Sequence, residues 1–225
     1  MAEYNCVDVS EWNGDIDWEK AKADGVEYAL IRCGFGQDME SQDDKYFHIN
    51  MEGALAAGVK VGVYFYSYAS DGDAAKGEAA HCLRLIDPYR NKLSLPVFYD
   101  LEEEKIKEHV WGIYTTFENI LKENGYNVGC YASQYWYDTV LKPIGIDYCW
   151  DAKWGGRRPD WEVSIWQYSS EGSVDGIGSG VDLDIVYDTD MKALIDIPVP
   201  DQEVNITVKV NAPDGVKVNI NVEKE

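Results

Sequence analysis

The sequence predicts an α/β barrel of about eight strands, with fewer helices in its second half than in its first. Short apolar segments alternate with amphipathic segments along the first two-thirds of the 225 residues, a pattern typical of parallel strands with helical crossovers. The apolar segments are continuous, as expected for strands that are covered on both faces. The later segments indicate strands with little helix between them. An open doubly wound sheet remains an alternative, but an irregular TIM-like β/α barrel fits the second half better.

The individual elements follow from local patterns and turn residues. The predicted strands are YNCVDVS (4–10), VEYALIRCG (26–34), VKVGVYFYSY (59–68), LSLPVFYDLE (93–102), YNVGCYAS (126–133), DYCWDAKW (147–154), WEVSIWQYSS (161–170) and GVDLDIVY (180–187). The predicted helices cover residues 16–25, 43–57, 70–87 and 106–124. Gly25 and Gly58 stand where a helix is expected to end.

The segment after residue 195 has a different pattern. EVNITVKVN and GVKVNINVE alternate apolar and polar residues strictly and are joined by APDG, which predicts a β-hairpin. The preceding DIPVPDQ is typical of a linker. We therefore predict a catalytic barrel over residues 1–195 and a linker with a C-terminal β-hairpin extension over residues 196–225. The apolar face of this hairpin would dock on the barrel, mediate self-association, or belong to what is left of a further domain.

The charge balance excludes several classes of partner. The chain has 20 basic and 41 acidic residues, a net charge of -21, so it lacks the basic footprint that nucleic acid requires. No apolar run reaches the length of a transmembrane helix, so no membrane insertion is expected. The start, MAEYNCVDVS, lacks the pattern of a signal peptide. We expect a protein that is made in the cytoplasm and released later, or one that is secreted with a leader this sequence does not include.

The sequence predicts neither a metal nor a cofactor. The five cysteines form no CxxC pair, and the three histidines are scattered, which argues against a zinc site. No GxGxxG or GxxxxGK motif marks a nucleotide site. We interpret the cysteines as free, buried residues of small size.

Four carboxylates fall near the ends of predicted strands. Asp8 ends the first strand, Asp100 and Glu102 end the fourth, and Asp182 lies in the last. Because chemistry in parallel α/β barrels sits at the C-terminal ends of strands, these side chains are expected to converge on one rim. Crowded carboxylates raise one another's pKa and keep one of them protonated near neutral pH. A protonated acid beside an ionised one is what cleavage of a glycosidic bond needs.

The aromatic residues agree with a sugar ligand. The chain has 16 Tyr and 8 Trp but only 5 Phe, and rings with polar tips stack on sugar faces while still forming hydrogen bonds. The candidate substrate-binding residues are Tyr64, Tyr66, Tyr131, Trp150 and Trp166. Other aromatic residues are expected to pack the core.

Five segments together resemble family 25 of the glycoside hydrolases, the lysozymes of the phage and bacterial muramidase type. They are VDVSEWNGDIDWEKAKADGVEYALIRCGFG, GVYFYSY, PVFYDLEEE, GCYAS and WQYSSEGSVDGIGSGVDLD. They follow the family's order over about residues 4–190, whereas the C-terminal hairpin lies outside the resemblance. The family implies an irregular α/β barrel and hydrolysis of the β-1,4 bond between N-acetylmuramic acid and N-acetylglucosamine in peptidoglycan.

The resemblance also implies roles for single residues. Glu102, in the D-x-E pattern that begins at Asp100, matches the family's general acid. Asp8 matches the early Asp of the DVS motif, and Asp182 matches the Asp of the late VDL motif. Tyr64 lies where the family has an aromatic residue lining the cleft.

Two motifs depart from the family's usual pattern. Asn13-Gly14 stands where Gln-Gly often follows DVS. The usual W-x-A-x-Y appears as Trp150-Asp151-Ala152-Lys153-Trp154.

These observations predict an N-acetylmuramidase whose partners are bacterial peptidoglycan strands. Glu102 would protonate the glycosidic oxygen, while Asp100 stays ionised beside the reacting sugar. Asp100 would either orient the 2-acetamido group for attack on the anomeric carbon or activate a water molecule. The first route is favoured because both acids lie on one strand, and Asp8 and Asp182 would set the local field. The alternative is a non-catalytic barrel that binds peptidoglycan; chitin hydrolysis is disfavoured because a D-x-x-D-x-D-x-E run is absent.

Overall fold

The computed structural model describes residues 3–141, 145–178, 180–187 and 191–195. Within these ranges eight strands form one closed barrel and follow one another around it in chain order. The strands are β1 (Tyr4–Val9), β2 (Tyr28–Phe35), β3 (Lys60–Tyr66), β4 (Leu93–Asp100), β5 (Val128–Ser133), β6 (Cys149–Ala152), β7 (Ile165–Gly172) and β8 (Val181–Val186). The structure confirms the predicted barrel class and places every predicted strand.

The barrel is mixed rather than fully parallel. Neighbours from β1 to β7 run parallel, whereas β8 is antiparallel to both β7 and β1. A parallel last strand needs a long crossover that carries the chain back along the barrel. The short loop from Gly172 to Val181 is long enough to connect β7 to β8 because β8 runs in the opposite direction.

Helices are concentrated in the first half of the chain, as predicted. They are α1 (Trp18–Ala23), α2 (Phe47–Ala56), α3 (Gly72–Ile86) and α4 (Val110–Glu123). After β5 the described residues form only a short turn of helix, Gln134–Trp136, and a π-helical stretch, Tyr137–Leu141. Short 3₁₀ segments lie at Glu11–Asn13, Glu40–Gln42, Asp87–Lys92 and Glu104–Ile106.

Local chemistry sets the helix boundaries. Asp71 caps α3 by accepting a hydrogen bond from the backbone N–H of Ala74 at 2.9 Å. Gly58 follows α2 with φ of 73°, a conformation that favours glycine. The second helix begins at Phe47 rather than at the predicted residue 43, because Asp43 and Asp44 are used in side-chain ion pairs.

The core has two layers, which β3 illustrates. Its alternating residues Val61, Val63 and Phe65 pack outward against the helices, whereas Tyr64 faces the barrel interior. The interior is filled by side chains from all around the barrel, namely Cys6, Leu30, Tyr64, Phe98, Tyr131, Trp150, Ile165 and Val186. Side chains therefore fill the barrel interior, and those nearest the carboxyl ends of the parallel strands can form a site.

Two further expectations concern cysteines and membranes. All five cysteines are free and buried, as predicted. Among the described residues no helix combines the length and apolarity needed to cross a bilayer. The predicted linker and hairpin over residues 196–225 lie outside the described residues and stay predictions.

Candidate active site

The four predicted carboxylates lie at one end of the barrel, called the rim here, where β1 to β7 end. Asp8 is the penultimate residue of β1 and stands directly opposite Asp182 of β8. Directly paired residues of antiparallel strands point to the same face, so these two side chains are neighbours. Asp182 lies near the start of its strand, and it reaches the rim only because β8 runs antiparallel to the rest.

Asp100 and Glu102 occupy different environments although they are two residues apart. Asp100 is the last residue of β4, pairs with Tyr66 and Tyr131 on the adjacent strands, and is buried. Its Oδ1 has no hydrogen-bond partner among the described residues. Glu102 lies beyond the strand and is exposed. The rim thus presents an accessible carboxyl above a buried one.

Burial dominates the electrostatics of this acidic pair. It raises the pKa of Asp100 well above its ordinary value. The charges of Glu102 and Asp8 add to this rise, whereas Arg32 opposes it. Burial also raises the pKa of Glu102, and the nearby Tyr66 hydroxyl, which donates to Glu103 at 3.0 Å, opposes that rise. Glu102 is exposed as a residue even though protein atoms surround its carboxyl group, so solvent screening moderates its shift.

The second acidic pair shows the same tendency. Burial raises the pKa of Asp8 well above its ordinary value, and the charge of Asp182 adds to the rise. Hydrogen bonds from Gln167 and Asp184 oppose it. Burial raises the pKa of Asp182 to about 6. The rim therefore retains protons at pH values where isolated aspartic acids have released theirs.

Gln167 connects the acids to the aromatic residues, and sequence reasoning missed it. Its Nε2 donates to Oδ2 of Asp8 at 2.8 Å. Its Oε1 accepts from the Tyr131 hydroxyl and from Nε1 of Trp154, both at 3.0 Å. Two donors on the amide oxygen fix the orientation of the amide, so its NH₂ group must face Asp8. A glutamine two residues after Ile165, within the apolar and aromatic start of IWQYSS, was the available signal.

Asp184 is a fifth acid that sequence reasoning missed. It lies two residues after Asp182 on β8, so both side chains point to the same face. It is buried, and its Oδ1 accepts from Nε1 of Trp150 at 2.7 Å. The VDLDIV pattern, with two acids at a spacing of two, carried this signal.

The predicted aromatic residues divide into a buried set and a half-buried set. Tyr64 and Tyr131 are buried below the acids, and the Trp150 ring packs between them, with centroids 5.6 and 4.4 Å away. Trp150 is only 1% exposed, a position that suits support of the site rather than contact with a sugar. Tyr66 and Trp166 are half-buried.

An open groove of about 260 Å³ lies beside the acids. It is lined by Glu11, Trp12, Arg32, Phe35, Tyr66 and Tyr68. Trp12 is 83% exposed and Tyr68 is 44% exposed, so their rings are available to a ligand. Arg32 is held in place by Glu11 at 3.2 Å and Asp44 at 2.8 Å. Trp12 was not among the predicted binding residues.

Asn13, where the sequence departs from the family's Gln, closes the turn that carries Trp12. Its Oδ1 accepts from the backbone N–H of Ser10 at 2.9 Å, while the Ser10 side chain caps the same turn. This reciprocal capping box fixes the backbone at the edge of the groove.

The described ranges contain no group of three or more His, Cys, Asp or Glu side chains arranged to hold a metal ion. The chemistry that these residues support is proton transfer between a carboxyl group and a ligand bound next to an aromatic groove.

Comparison with known proteins adds independent observations. A family model described as "Glycosyl hydrolases family 25" matches residues 7–177. An autolytic lysozyme from Clostridium acetobutylicum is 27% identical over 181 residues, which cover 79% of this chain and 54% of the relative. The modular autolysin LytC from Streptococcus pneumoniae superposes with a TM-score of 0.72 at 28% identity, covering 82% of this chain and 47% of that one. LytC has also been solved in complex with a synthetic peptidoglycan ligand.

A family 25 glycosyl hydrolase from Bacillus anthracis has the same fold, with a TM-score of 0.72 at 24% identity, covering 83% of this chain and 90% of that one. The chain spans about half the length of the autolytic lysozyme and of LytC.

Proposed function

Because the chain belongs to family 25 of the glycosyl hydrolases, we propose that it cleaves the β-1,4 bond between N-acetylmuramic acid and N-acetylglucosamine in peptidoglycan. The observation that carries this proposal is the gathering of Asp8, Asp100, Glu102 and Asp182 at one rim, next to an aromatic groove. The names of the relatives, a lysozyme and an autolysin solved with a peptidoglycan ligand, support the same substrate.

Glu102 is the proposed general acid. It is the most accessible of the four acids, and its raised pKa leaves a larger protonated fraction near neutral pH. Its proton passes to the glycosidic oxygen as the bond from that oxygen to the anomeric carbon breaks.

Asp100 is proposed to act on the 2-acetamido group of the same sugar. In its ionised form it accepts the amide N–H, which makes the amide oxygen a better nucleophile toward the anomeric carbon. The new carbon–oxygen bond closes a ring, and water then opens it with Glu102 acting as base, so configuration is retained. Burial and the charges of Glu102 and Asp8 favour the protonated form of Asp100, and Arg32 opposes them by favouring the ionised form that this step requires. If Asp100 instead activates water directly, configuration is inverted.

The remaining residues are proposed to position the substrate. Asp8 and Asp182 orient Asp100 or a water molecule and set the local field. Trp12, Tyr66 and Tyr68 offer ring faces on which sugars can stack. The enzyme would reach the wall after release from the cytoplasm, in the manner of a phage endolysin, or by secretion.

The products of a peptidoglycan digest test this function. After borohydride reduction, mass spectrometry should find muramitol at the new reducing ends. Glucosaminitol would instead identify a glucosaminidase. Binding to peptidoglycan without new reducing ends would identify a non-catalytic sugar-binding barrel. Chitin oligosaccharides serve as a control substrate, because a chitin-directed enzyme would cleave them more readily.

A further inference from the structure

Asp184 lies one layer below the rim, beneath the acids of the proposed reaction. On β8 it pairs in register with Cys6 of β1 on one side and with Gln167 of β7 on the other. It is 1% exposed, so water does not solvate its carboxyl group. A carboxyl group buried this deeply is stable only if it is protonated or if the surrounding groups stabilise its negative charge.

The hydrogen bonds of Asp184 define that charge state. Oδ1 accepts from Trp150 at 2.7 Å, whereas Oδ2 receives no hydrogen bond from a donor among the described residues. The side chain is within hydrogen-bonding reach of Asp8, whose Oδ2 already accepts from Gln167. Two buried carboxyl groups in contact require a proton between them.

The proton belongs on Asp184. Each carboxyl group accepts one hydrogen bond, Asp8 from Gln167 and Asp184 from Trp150. Asp184 is 1% exposed and lies one layer below Asp8, which is 5% exposed at the rim, so a negative charge is better solvated on Asp8 than on Asp184. The titratable groups that act on or contact Asp184 are Asp8, Asp182, Cys6 and Tyr168, and none of them is a cation. Burial and then the charge of Asp8 raise the pKa of Asp184 well above its ordinary value, in agreement with the geometry.

We propose that Asp184 is a positioning residue that remains protonated and donates a hydrogen bond to Asp8, which holds Asp8 ionised and correctly oriented at the rim. Asp8 then has two fixed donors, Gln167 and Asp184, and its carboxylate faces Asp182 in one orientation. This inference rests on the proposed hydrolysis, in which Asp8 positions Asp100 or a water molecule.

Two substitutions of Asp184 distinguish the effect of a hydrogen-bond donor from the effect of a negative charge. Asp184→Asn keeps the shape, donates to Asp8 through Nδ2 and accepts from Trp150 through Oδ1. Asp184→Leu keeps a similar volume and removes the donor. The Asn variant should retain kcat within about threefold, and the Leu variant should lose about 10- to 100-fold in kcat, as expected for one hydrogen bond to a charged group. KM should change little in both, because Asp184 does not contact the sugar.

Asp151→Asn is the matched control, since Asp151 is a buried aspartic acid on the neighbouring strand β6. It should leave kcat unchanged. The acidic limb of the activity profile should be the same for the parent and Asp184→Asn. Other carboxyl groups with raised pKa values also keep protons at pH 7, so the infrared measurement is the difference spectrum between the parent and Asp184→Asn. It should contain a protonated-carboxyl band, and it does not depend on the folding of the Leu variant.

Other outcomes overturn the inference. If Asp184→Asn is as impaired as Asp184→Leu, a negative charge on Asp184 is what matters. A fully active Leu variant, or a difference spectrum between the parent and Asp184→Asn without a protonated-carboxyl band, would show that Asp184 does not hold the proton. Failure of the proposed function would be seen separately, because the parent itself would then release no muramitol.

Discussion

Glu102 differs from the other predicted acids because solvent, and therefore substrate, reaches it, while Asp8 and Asp100 are buried beneath it. Asp100 begins a run of acids whose later members have separate partners. Glu103 accepts from the Tyr66 hydroxyl at 3.0 Å, and Glu104 pairs with Lys107. These contacts leave Glu102 as the acid best placed to donate a proton.

Glu102→Gln should therefore reduce the rate of peptidoglycan hydrolysis by about 10²- to 10⁴-fold, because the amide keeps the shape but cannot give up a proton. Release of reducing ends from purified walls measures this, and a sedimentation assay checks that wall binding is retained. Glu104→Gln is the matched control and should behave like the parent. If the hydrolysis rate of E102Q is within tenfold of the parent rate, Glu102 is not the general acid.

Asp151 allows a test of stability against pH. It is 0% exposed, and neither carboxylate oxygen makes a well-formed hydrogen bond among the described residues. Burial raises its pKa from 3.8 to about 7, and the nearby Trp161 opposes part of that rise. Between these two values the folded state keeps a proton that the unfolded state releases, so the free energy of unfolding falls as pH rises through this window. Above the pKa that Asp151 has in the folded state, the folded protein bears the full free-energy cost of burying the ionised carboxylate.

Asp151→Asn should remove that penalty. At pH 8 its thermal midpoint should exceed that of the parent by several degrees, at about 2–4 °C for each kcal/mol, and the difference should shrink as pH falls toward 4. Asp160→Asn, at an exposed aspartic acid nearby, should change little at either pH. An equal midpoint for Asp151→Asn and the parent at pH 8 would mean that Asp151 has a compensating partner.

Sequence reasoning located Asp8 and Asp100 at strand ends because an acid directly after a buried apolar run is conspicuous. It missed Gln167 and Asp184, since their function depends on which side chains they meet across the barrel, and a single strand does not reveal its neighbours. Trp150 was predicted to touch sugar because of its residue type. The register instead pairs it with Tyr131, and its ring is buried between those of Tyr64 and Tyr131.

At the scale of elements, the strands and the parallel direction of the earlier ones were predictable, whereas the reversed direction of β8 was not. The apolar run of β8 predicts a strand in either direction, and only the pairing of Asp8 with Asp182 shows that it is antiparallel. The fourth helix begins at Val110 rather than at the predicted residue 106, because a 3₁₀ segment, Glu104–Ile106, comes first. Apolar periodicity does not distinguish these helical types.

One buried acid ties α3 to the strands that carry the site. Oε2 of Glu78 accepts from the Ser67 hydroxyl at 2.9 Å and from the Tyr99 hydroxyl, and its Oε1 accepts from the backbone N–H of Tyr68 at 2.8 Å. The Tyr99 ring also stacks on Phe117 of α4 at 3.8 Å. Glu78 therefore connects two helices to the ends of β3 and β4.

Glu78→Leu should lower the free energy of unfolding by about 3 kcal/mol, because it leaves several buried donors unpaired. Glu78→Gln keeps an acceptor and should cost about 1 kcal/mol. Urea denaturation followed by tryptophan fluorescence measures both, with Lys76→Gln on the exposed face of the same helix as a control. If the Leu and Gln variants are equally stable, the hydroxyl groups must find other partners.

At the scale of the whole molecule, all four predicted acids lie within residues 1–195, so the catalytic rate should not need the remainder. Deleting residues 198–225 should leave the rate on soluble glycan fragments unchanged, while solubility, oligomeric state or activity on whole walls changes. The expected cause is the apolar face predicted for the hairpin, formed by Val204, Ile206, Val208, Val210, Val216, Val218, Ile220 and Val222. Light scattering and a wall-lysis assay measure these effects. A truncated barrel that is folded but inactive on fragments would contradict the predicted boundary.

The direction of β8 also determines where the chain can be extended. Tyr4 pairs with Val186, so the last strand finishes beside the beginning of the first, at the end of the barrel away from the acids. Ala193, further along the chain, also lies at that end, because its carbonyl accepts a hydrogen bond from the backbone N–H of Asn127 just before β5. A fusion partner or an immobilisation tether attached at either terminus of the barrel would start from the side opposite the groove. A circular permutant that joins the end of β8 to the start of β1 should need only a short connecting peptide, because Tyr4 and Val186 are paired.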